Sequence, residues 1–254
     1  MTHNPAPLSW LASGEAFPPV ESAWGVDTVA PGLLCAGADL SVATLQKAYQ
    51  NGIFPWFSAG QPILWWSPAP RMVLEVEQFK LSPSLKKTLK KFANDPDCEI
   101  RIDNAFAQVI QACASNPRPG AHGTWIVPDM INAYINLHHA GLAHSVETWV
   151  RGELVGGLYC VASGQAVFGE SMFYRQTDAS KIALAALVCL CRQHQISQID
   201  CQQNTAHLAS LGAHEMPRPE FVRRVRALCR QPALDWHFES LYWQHLFAFN
   251  SASA

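Results

Sequence analysis

Three side chains in the second half of the chain are equipped for acid–base and hydrogen-bonding chemistry: Glu170, Asp200 and Gln202. Glu170 sits in Gly169-Glu170-Ser171-Met172-Phe173, inside an apolar run that reads as a buried strand. Burying an unpaired carboxylate costs several kcal/mol, so Glu170 requires a fixed partner or a cationic or hydrogen-bonding ligand. In Ile199-Asp200-Cys201-Gln202 one residue separates the acid from the amide, so on a strand the two project to one face. A strand-end Asp also caps a following helix or pairs with a surface Lys, and that reading stands beside the functional one. Glu170 and Asp200 flank one long apolar segment, Ala179 to His194, and can meet at one end of a sheet.

A second group is basic. Lys86, Lys87, Lys90 and Lys91 follow Lys80 at a spacing that gathers four ammonium groups on one side of a short helix. Such a face is either solvated or set against a phosphate backbone. Arg218, Arg223, Arg224, Arg226 and Arg230 form a further, more structural patch. His138, His139, His144 and Glu147 do not make a metal site, because adjacent histidines diverge on a helix and no His-Glu-x-x-His occurs. His144 is expected at the start of a strand with its ring hydrogen-bonded. Neither a Gly-x-Ser-x-Gly elbow nor a phosphate-binding glycine loop is present, which argues against an acyl-serine hydrolase and a P-loop enzyme.

The elements that must position these groups fall into two textures. The first 75 residues are rich in Pro, Gly and Trp, with one clear helix from Asp39 or Ser41 to Gly52. From about Arg71 strands and helices alternate: a strand Arg71 to Val76, a helix Ser84 to Phe92, a strand Glu99 to Ile102, and helices Ala105 to Ala114 and Pro128 to His139. Three strands follow, Ala143 to Val150, Leu154 to Ala162 and Ala166 to Phe173, joined by hairpin-length turns containing Gly152 and Gly164. After the long helix come a short strand Gln198 to Cys201 and helices near Ala206 to Leu211 and Pro219 to Arg230. The class is α+β, with domains at 1–75 and 76–254.

Composition bounds the function. With 254 residues, 49% hydrophobic, the chain can bury a large core, and nine Trp and twelve Phe offer apolar surface for a pocket. A net charge of −2 disfavours a DNA-coating role. No signal-peptide pattern and no apolar stretch of spanning length occurs, so the expectation is a cytoplasmic protein off the membrane. Eight cysteines without Cys-x-x-Cys read as reduced, buried thiols.

Several segments together resemble the leucyl/phenylalanyl-tRNA protein transferases. They include Ala48-Tyr49-x-x-Gly52-Ile53-Phe54-Pro55-Trp56-Phe57, Trp65-Trp66-Ser67-Pro68-x-Pro70-Arg71, Gly123-Thr124-Trp125-Ile126, His144-Ser145-Val146-Glu147, Leu154-Val155-Gly156-Gly157, Gly169 to Phe173, Ala179-Ser180-Lys181, Ile199 to Gln202 and Ser210-Leu211-Gly212-Ala213. The resemblance implies a small N-terminal domain on a C-terminal domain similar to the GNAT acetyltransferases, with an antiparallel meander and flanking helices. It implies transfer of Leu or Phe, with Met as a further candidate, from Leu-tRNA or Phe-tRNA to proteins beginning with Arg or Lys, marking them for N-end rule degradation. No cofactor is implied; Tyr174 to Lys181 stands where an acetyltransferase carries its pyrophosphate loop.

By the same resemblance the transferred side chain enters a pocket of Leu158, Met172, Phe173 and Leu184. Trp56, Trp125 and Tyr134 match aromatics near the donor adenosine, and Lys86, Lys87, Lys90 and Lys91 match the tRNA-binding cluster, with Pro83 departing from a basic position of some relatives. Asp200 would accept a proton from the attacking amine or orient it, Gln202 would hold that geometry, and Glu170 would pair with the cationic acceptor terminus. The alternatives are another aminoacyl-tRNA- or acyl-CoA-dependent N-acyltransferase, and a non-catalytic module that binds basic N-termini.

Overall fold

The structure is a computed structural model and describes residues 7–115 and 126–247. Its first part is a four-stranded sheet built from β1 (Ser9–Leu11), β2 (Leu33–Gly37), β3 (Phe54–Pro55) and β4 (Leu64–Trp66), in the order β1-β2-β4-β3. Between β2 and β3 runs α1 (Val42–Gln50), whose N-cap Ser41 accepts a hydrogen bond from the Thr44 N–H at 3.3 Å. Gly52, at φ +72°, turns the chain out of α1 into β3.

The second sheet has seven strands: β5 (Arg71–Glu75), β6 (Cys98–Ile102), β7 (Ala143–Val150), β8 (Glu153–Ser163), β9 (Ala166–Tyr174), β10 (Gln198–Gln202) and β11 (His214–Met216). Its helices are α2 (Pro83–Ala93), α3 (Phe106–Ser115), α4 (Pro128–His139), α5 (Ala179–Gln193), α6 (Ala206–Ser210) and α7 (Arg218–Leu228). Strand order is β11-β5-β10-β9-β8-β7-β6. The run β6 to β9 is an antiparallel meander, and α5 is the crossover to β10, which lies parallel to β9. Because β5 already belongs to the large sheet, the change between sheets falls at residues 67–70, not after residue 75.

Apolar side chains form two clusters. One gathers Leu158, Val146 and Val167 with α5 and with Leu85, Leu89 and Phe92 of α2. The other joins Tyr49 of α1, Val109 of α3 and Tyr134 of α4 to Tyr159 and Phe168, and it includes Cys35 and Trp65 of the small sheet. The small sheet therefore shares its core with the large one. Helix α5 can start close against the meander because β8 has Gly156 there: a Cβ at that position would lie 2.5 Å from the Ala179 Cβ. All eight cysteines are free, and no helix of the described residues is long and apolar enough to cross a membrane.

Candidate active site

Two β-bulges lie side by side where the parallel pair β9–β10 ends. Opposite β8, Tyr159 faces Ser171 and Cys160 faces Gly169, which leaves Glu170 as the extra residue. Opposite β5, Asp200 faces Val73 and Gln202 faces Met72, which leaves Cys201 extra. Strand β10 meets β9 through Ile199–Val167 and Asp200–Phe168, so the ladder stops just before Glu170. A bulge bends its strand and re-aims a side chain, and two together open the end of the sheet. Gln202 also takes a left-handed backbone, φ +62°, a conformation that costs a non-glycine residue about 1 kcal/mol or more and persists where its surroundings hold it.

Hydrogen bonds supply that hold. The Arg71 guanidinium donates from Nε to Asp200 Oδ1 at 2.8 Å and from Nη2 to Oδ2 at 2.6 Å, and from Nη1 to the Gly52 carbonyl at 3.1 Å. Phe54 and Phe221 cover the guanidinium from 4.8 and 4.6 Å. Asp200 Oδ1 also accepts the Gln202 N–H at 2.9 Å. Gln202 in turn donates from Nε2 to Glu170 Oε1 at 2.8 Å. Arg71 and Asp200 are each 1% exposed, so both Asp200 oxygens are committed inside the protein.

Glu170 ends this chain at the surface. Besides Gln202 it accepts from the Tyr49 hydroxyl at 2.7 Å, while the Tyr134 hydroxyl, 3.3 Å from its other oxygen, bonds to the Tyr49 hydroxyl. Burial pushes the Glu170 carboxyl up to about 7; Tyr49, Gln202 and Tyr134 pull it back, while the charge of Asp200 adds to the rise. Both tyrosines are driven well above their ordinary value by burial and then by Glu170. They stay protonated and serve as donors. A cleft of about 200 Å³ opens over this group, lined by Phe54, Pro55 and Trp56 on one side and by Glu170, Cys201, Gln202, Gln203, Thr205 and Leu208 on the other.

A carboxylate presented at the end of a bulged sheet, between two sequence segments over a hundred residues apart, can be compared with known proteins. The family model described as leucyl/phenylalanyl-tRNA protein transferase matches residues 73–226, and that of its N-terminal domain matches residues 38–69. A leucyl/phenylalanyl-tRNA–protein transferase of Polaromonas sp. is 64% identical over 95% of both chains, and one of Albidiferax ferrireducens is 59% identical over the full length of both. The chain belongs to this family. Among solved structures, L-PGS from Bacillus licheniformis aligns with a TM-score of 0.37 at 10% identity, over 61% of this chain and 48% of that one. A GCN5-related N-acetyltransferase-like protein from Streptococcus suis aligns at 0.32 and 13%, over 68% and 63%.

In this member of the transferase family the sequence-derived residues separate into groups. Glu170, Gln202 and Trp56 meet at the cleft, while Asp200 lies beneath it. Tyr134, matched by the resemblance to an aromatic near the donor adenosine, is fully buried, with its hydroxyl 3.3 Å from Glu170. Leu158 faces Met172 across β8 and β9 and shares the cluster of Leu184, whereas Phe173 lies in the other cluster because neighbours on a strand alternate. Trp125 lies outside the described residues. Lys86, Lys87, Lys90 and Lys91 are all exposed on α2, opposite its buried Leu85, Leu89 and Phe92. His144 bonds to Asp103 Oδ2 at 2.7 Å and stacks on Trp236, a structural role.

Sequence reasoning did not single out Arg71 or Tyr49 as partners in the site. The signal for Arg71 is its own setting: one guanidinium opening an apolar strand, Arg71-Met72-Val73-Leu74, must find a carboxylate elsewhere. Tyr49 stands on the apolar stripe of α1, and its ring packs 5.1 Å from Phe168 while the hydroxyl reaches Glu170. Its place in the Ala48-Tyr49-x-x-Gly52 segment is the signal that sets it apart, since helical spacing alone reads it as core.

Proposed function

We propose that the chain transfers Leu or Phe from aminoacyl-tRNA to the α-amino group of proteins that begin with Arg or Lys. The C–N bond forms, the ester C–O bond breaks, and the tRNA leaves with its terminal hydroxyl restored. The observation that carries this reading is Glu170, the one carboxylate among the described cleft residues, held by Gln202 and the Tyr49–Tyr134 pair and pushed up to about 7. The same cleft disfavours a covalent intermediate on the enzyme. Burial pushes its thiol, Cys201, up to about 12, which leaves almost no thiolate at neutral pH.

Direct attack demands little base strength. An α-amino group titrates at about 7.7 to 8.0, so at pH 7 about a tenth to a fifth is neutral and deprotonation costs about 1 kcal/mol. Glu170 lies within about a unit of that value, where proton transfer in either direction is easy. It takes the proton lost by the amine, which then passes to the departing oxygen. With its Nε2 given to Glu170, Gln202 offers Oε1 to the amine as an acceptor. Asp200 acts through Gln202 as a positioning residue, since its own oxygens are occupied and buried. Of the two roles open to it from sequence, orientation is the one supported by these contacts.

A cationic first residue on the acceptor favours the ionised form of Glu170, which links Arg or Lys recognition to activation. Leu158 and Met172 of the sheet, with Leu184 of α5, are the proposed seat of the transferred side chain. Leu and Phe share an unbranched Cβ, and shape alone can exclude Ile and Val by about 1 to 3 kcal/mol. The lysines of α2 would meet the tRNA phosphates, and the place of action is the cytoplasm, where aminoacyl-tRNA is made. Incubating the purified chain with radiolabelled Leu-tRNA or with acetyl-CoA, and with peptides starting Arg or Met, tests the reading. Label should move from Leu-tRNA to the Arg peptide alone; acetylation, or peptide binding without transfer, would overturn it.

A further inference from the structure

With Tyr134 buried, the half-buried Trp56 is the accessible aromatic among the described residues lining the cleft. A second exposed ring stands farther along the same strand as Glu170: Tyr174, 59% exposed at the last position of β9. Strand β9 pairs with β10 through Val167 and Phe168, ahead of the bulge at Glu170. Tyr174 sits opposite Gly156, and Met172 opposite Leu158, in unbroken register, so Tyr174 and Met172 share a face. That face is the one covered by α5 and α2.

Directly after Tyr174 the chain enters a groove of about 560 Å³ between α2 and the start of α5, whose lining includes Gln176, Thr177, Lys91, Arg151, Asp95 and Glu153. Thr88 of α2 touches Asp178 at 3.4 Å, which ties the basic helix to the segment that follows Tyr174. Acid and base balance within the groove, so it supplies room and polar edges, while the exposed lysines on α2 supply attraction for phosphate. Four residues of strand separate Tyr174 from Glu170, roughly 13 Å. Along β9 the order is thus the groove beside the basic helix, the exposed Tyr174, then Met172 and, past it, the bulge that carries Glu170.

We propose that Tyr174 is a stacking platform for an unpaired nucleotide of the donor, one that precedes the aminoacylated terminal nucleotide on the single-stranded 3′ end. Exposed aromatics beside a basic track hold single strands in this way, because every base has a π-face. The proposal rests on aminoacyl-tRNA being the donor and adds where its strand runs.

The test compares two donors in steady-state transfer to an Arg-starting peptide: Leu-tRNA, and 3′-leucyl-adenosine, which lacks every preceding nucleotide. Tyr174→Ala should raise the KM for Leu-tRNA about tenfold with kcat retained. It should leave both constants for 3′-leucyl-adenosine within about twofold of the wild type, and Tyr174→Trp should restore the Leu-tRNA KM. An unchanged KM for Leu-tRNA in Tyr174→Ala overturns the proposal, as does an equal loss with both donors or a Trp variant that behaves like Ala. Wild-type turnover separates the two readings: without transfer from either donor the proposed function itself fails, and this inference with it.

Discussion

Arg71 and Asp200 form a two-pronged ion pair, at 2.8 and 2.6 Å, with each residue 1% exposed. It joins two neighbouring strands of the large sheet, since Arg71 opens β5 and Asp200 ends the regular part of β10. Through the Gln202 N–H the pair fixes a left-handed residue, and through the Gln202 side chain it reaches Glu170.

Arg71→Met should therefore cost about 3 to 5 kcal/mol, because it strands a buried carboxylate. Arg71→Lys keeps the charge but not the fork, and should fold while losing kcat more than KM. Urea unfolding of both variants, with steady-state kinetics of the second, checks this. A Lys variant with wild-type kcat would show that Asp200 needs charge and not geometry.

Replacing Glu170 should separate stability from activity. Its folded value, about 7, lies above the ordinary 4.5, so the native state holds the proton more tightly than the unfolded chain does. Stability from this group is full below about pH 4.5 and is lost as pH rises through about 7. Glu170→Gln removes that loss, and at about pH 8 it should be more stable than wild type by up to roughly 3 kcal/mol. Thermal unfolding near pH 4 and pH 8 reads the difference; a variant destabilised equally at both would show that the carboxylate is not strained by burial.

Tyr49→Phe removes a donor that favours the ionised form of Glu170. The acid limb of the pH–rate profile should shift upward by about one to two pH units, since a hydrogen bond to a charged group is worth about 1.5 to 3 kcal/mol. An unmoved limb would separate Tyr49 from the titrating group.

Changing Lys86, Lys87, Lys90 and Lys91 to Gln should leave the fold intact, because all four are exposed and the apolar face of α2 is untouched. Binding of tRNA should weaken, and the slope of log affinity against log salt should flatten by about 0.7 to 0.9 for each phosphate no longer neutralised. Salt titration of binding measures this directly, and an unaltered slope would place the tRNA elsewhere.

Much of the large sheet was legible because its signals are local. Pro128 starts α4 and Gly141 follows it, and glycine turns delimit β7, β8 and β9, so these elements fall within a residue or two of expectation. The small sheet was not legible: β1 to β4 run two to five residues each, and their pairing joins segments that lie far apart along the chain. In the site, alternation correctly brings Leu158 and Met172 together by register but assigns Phe173 to the opposite face. For Asp200 and Gln202 the same rule fails, because a bulge and a positive φ intervene and the amide turns to Glu170 while the acid stays with Arg71. That Glu170 needed partners was readable from one carboxylate in an apolar strand. Which partners they are depends on hydrogen bonds spanning up to 121 residues of sequence.

In the proposed reaction the Glu170 carboxylate, unaided by a covalent intermediate, takes the proton of the attacking amine. Single-turnover transfer of labelled Leu from Leu-tRNA to an Arg-starting peptide, followed from about pH 5.5 to 9 with wild type and Glu170→Gln, tests it most directly. The wild-type rate should climb with an apparent ionisation near 7, and the Gln variant should be at least about a hundredfold slower with that ionisation gone. A Gln variant that keeps the wild-type rate and profile would rule out Glu170 as the proton acceptor.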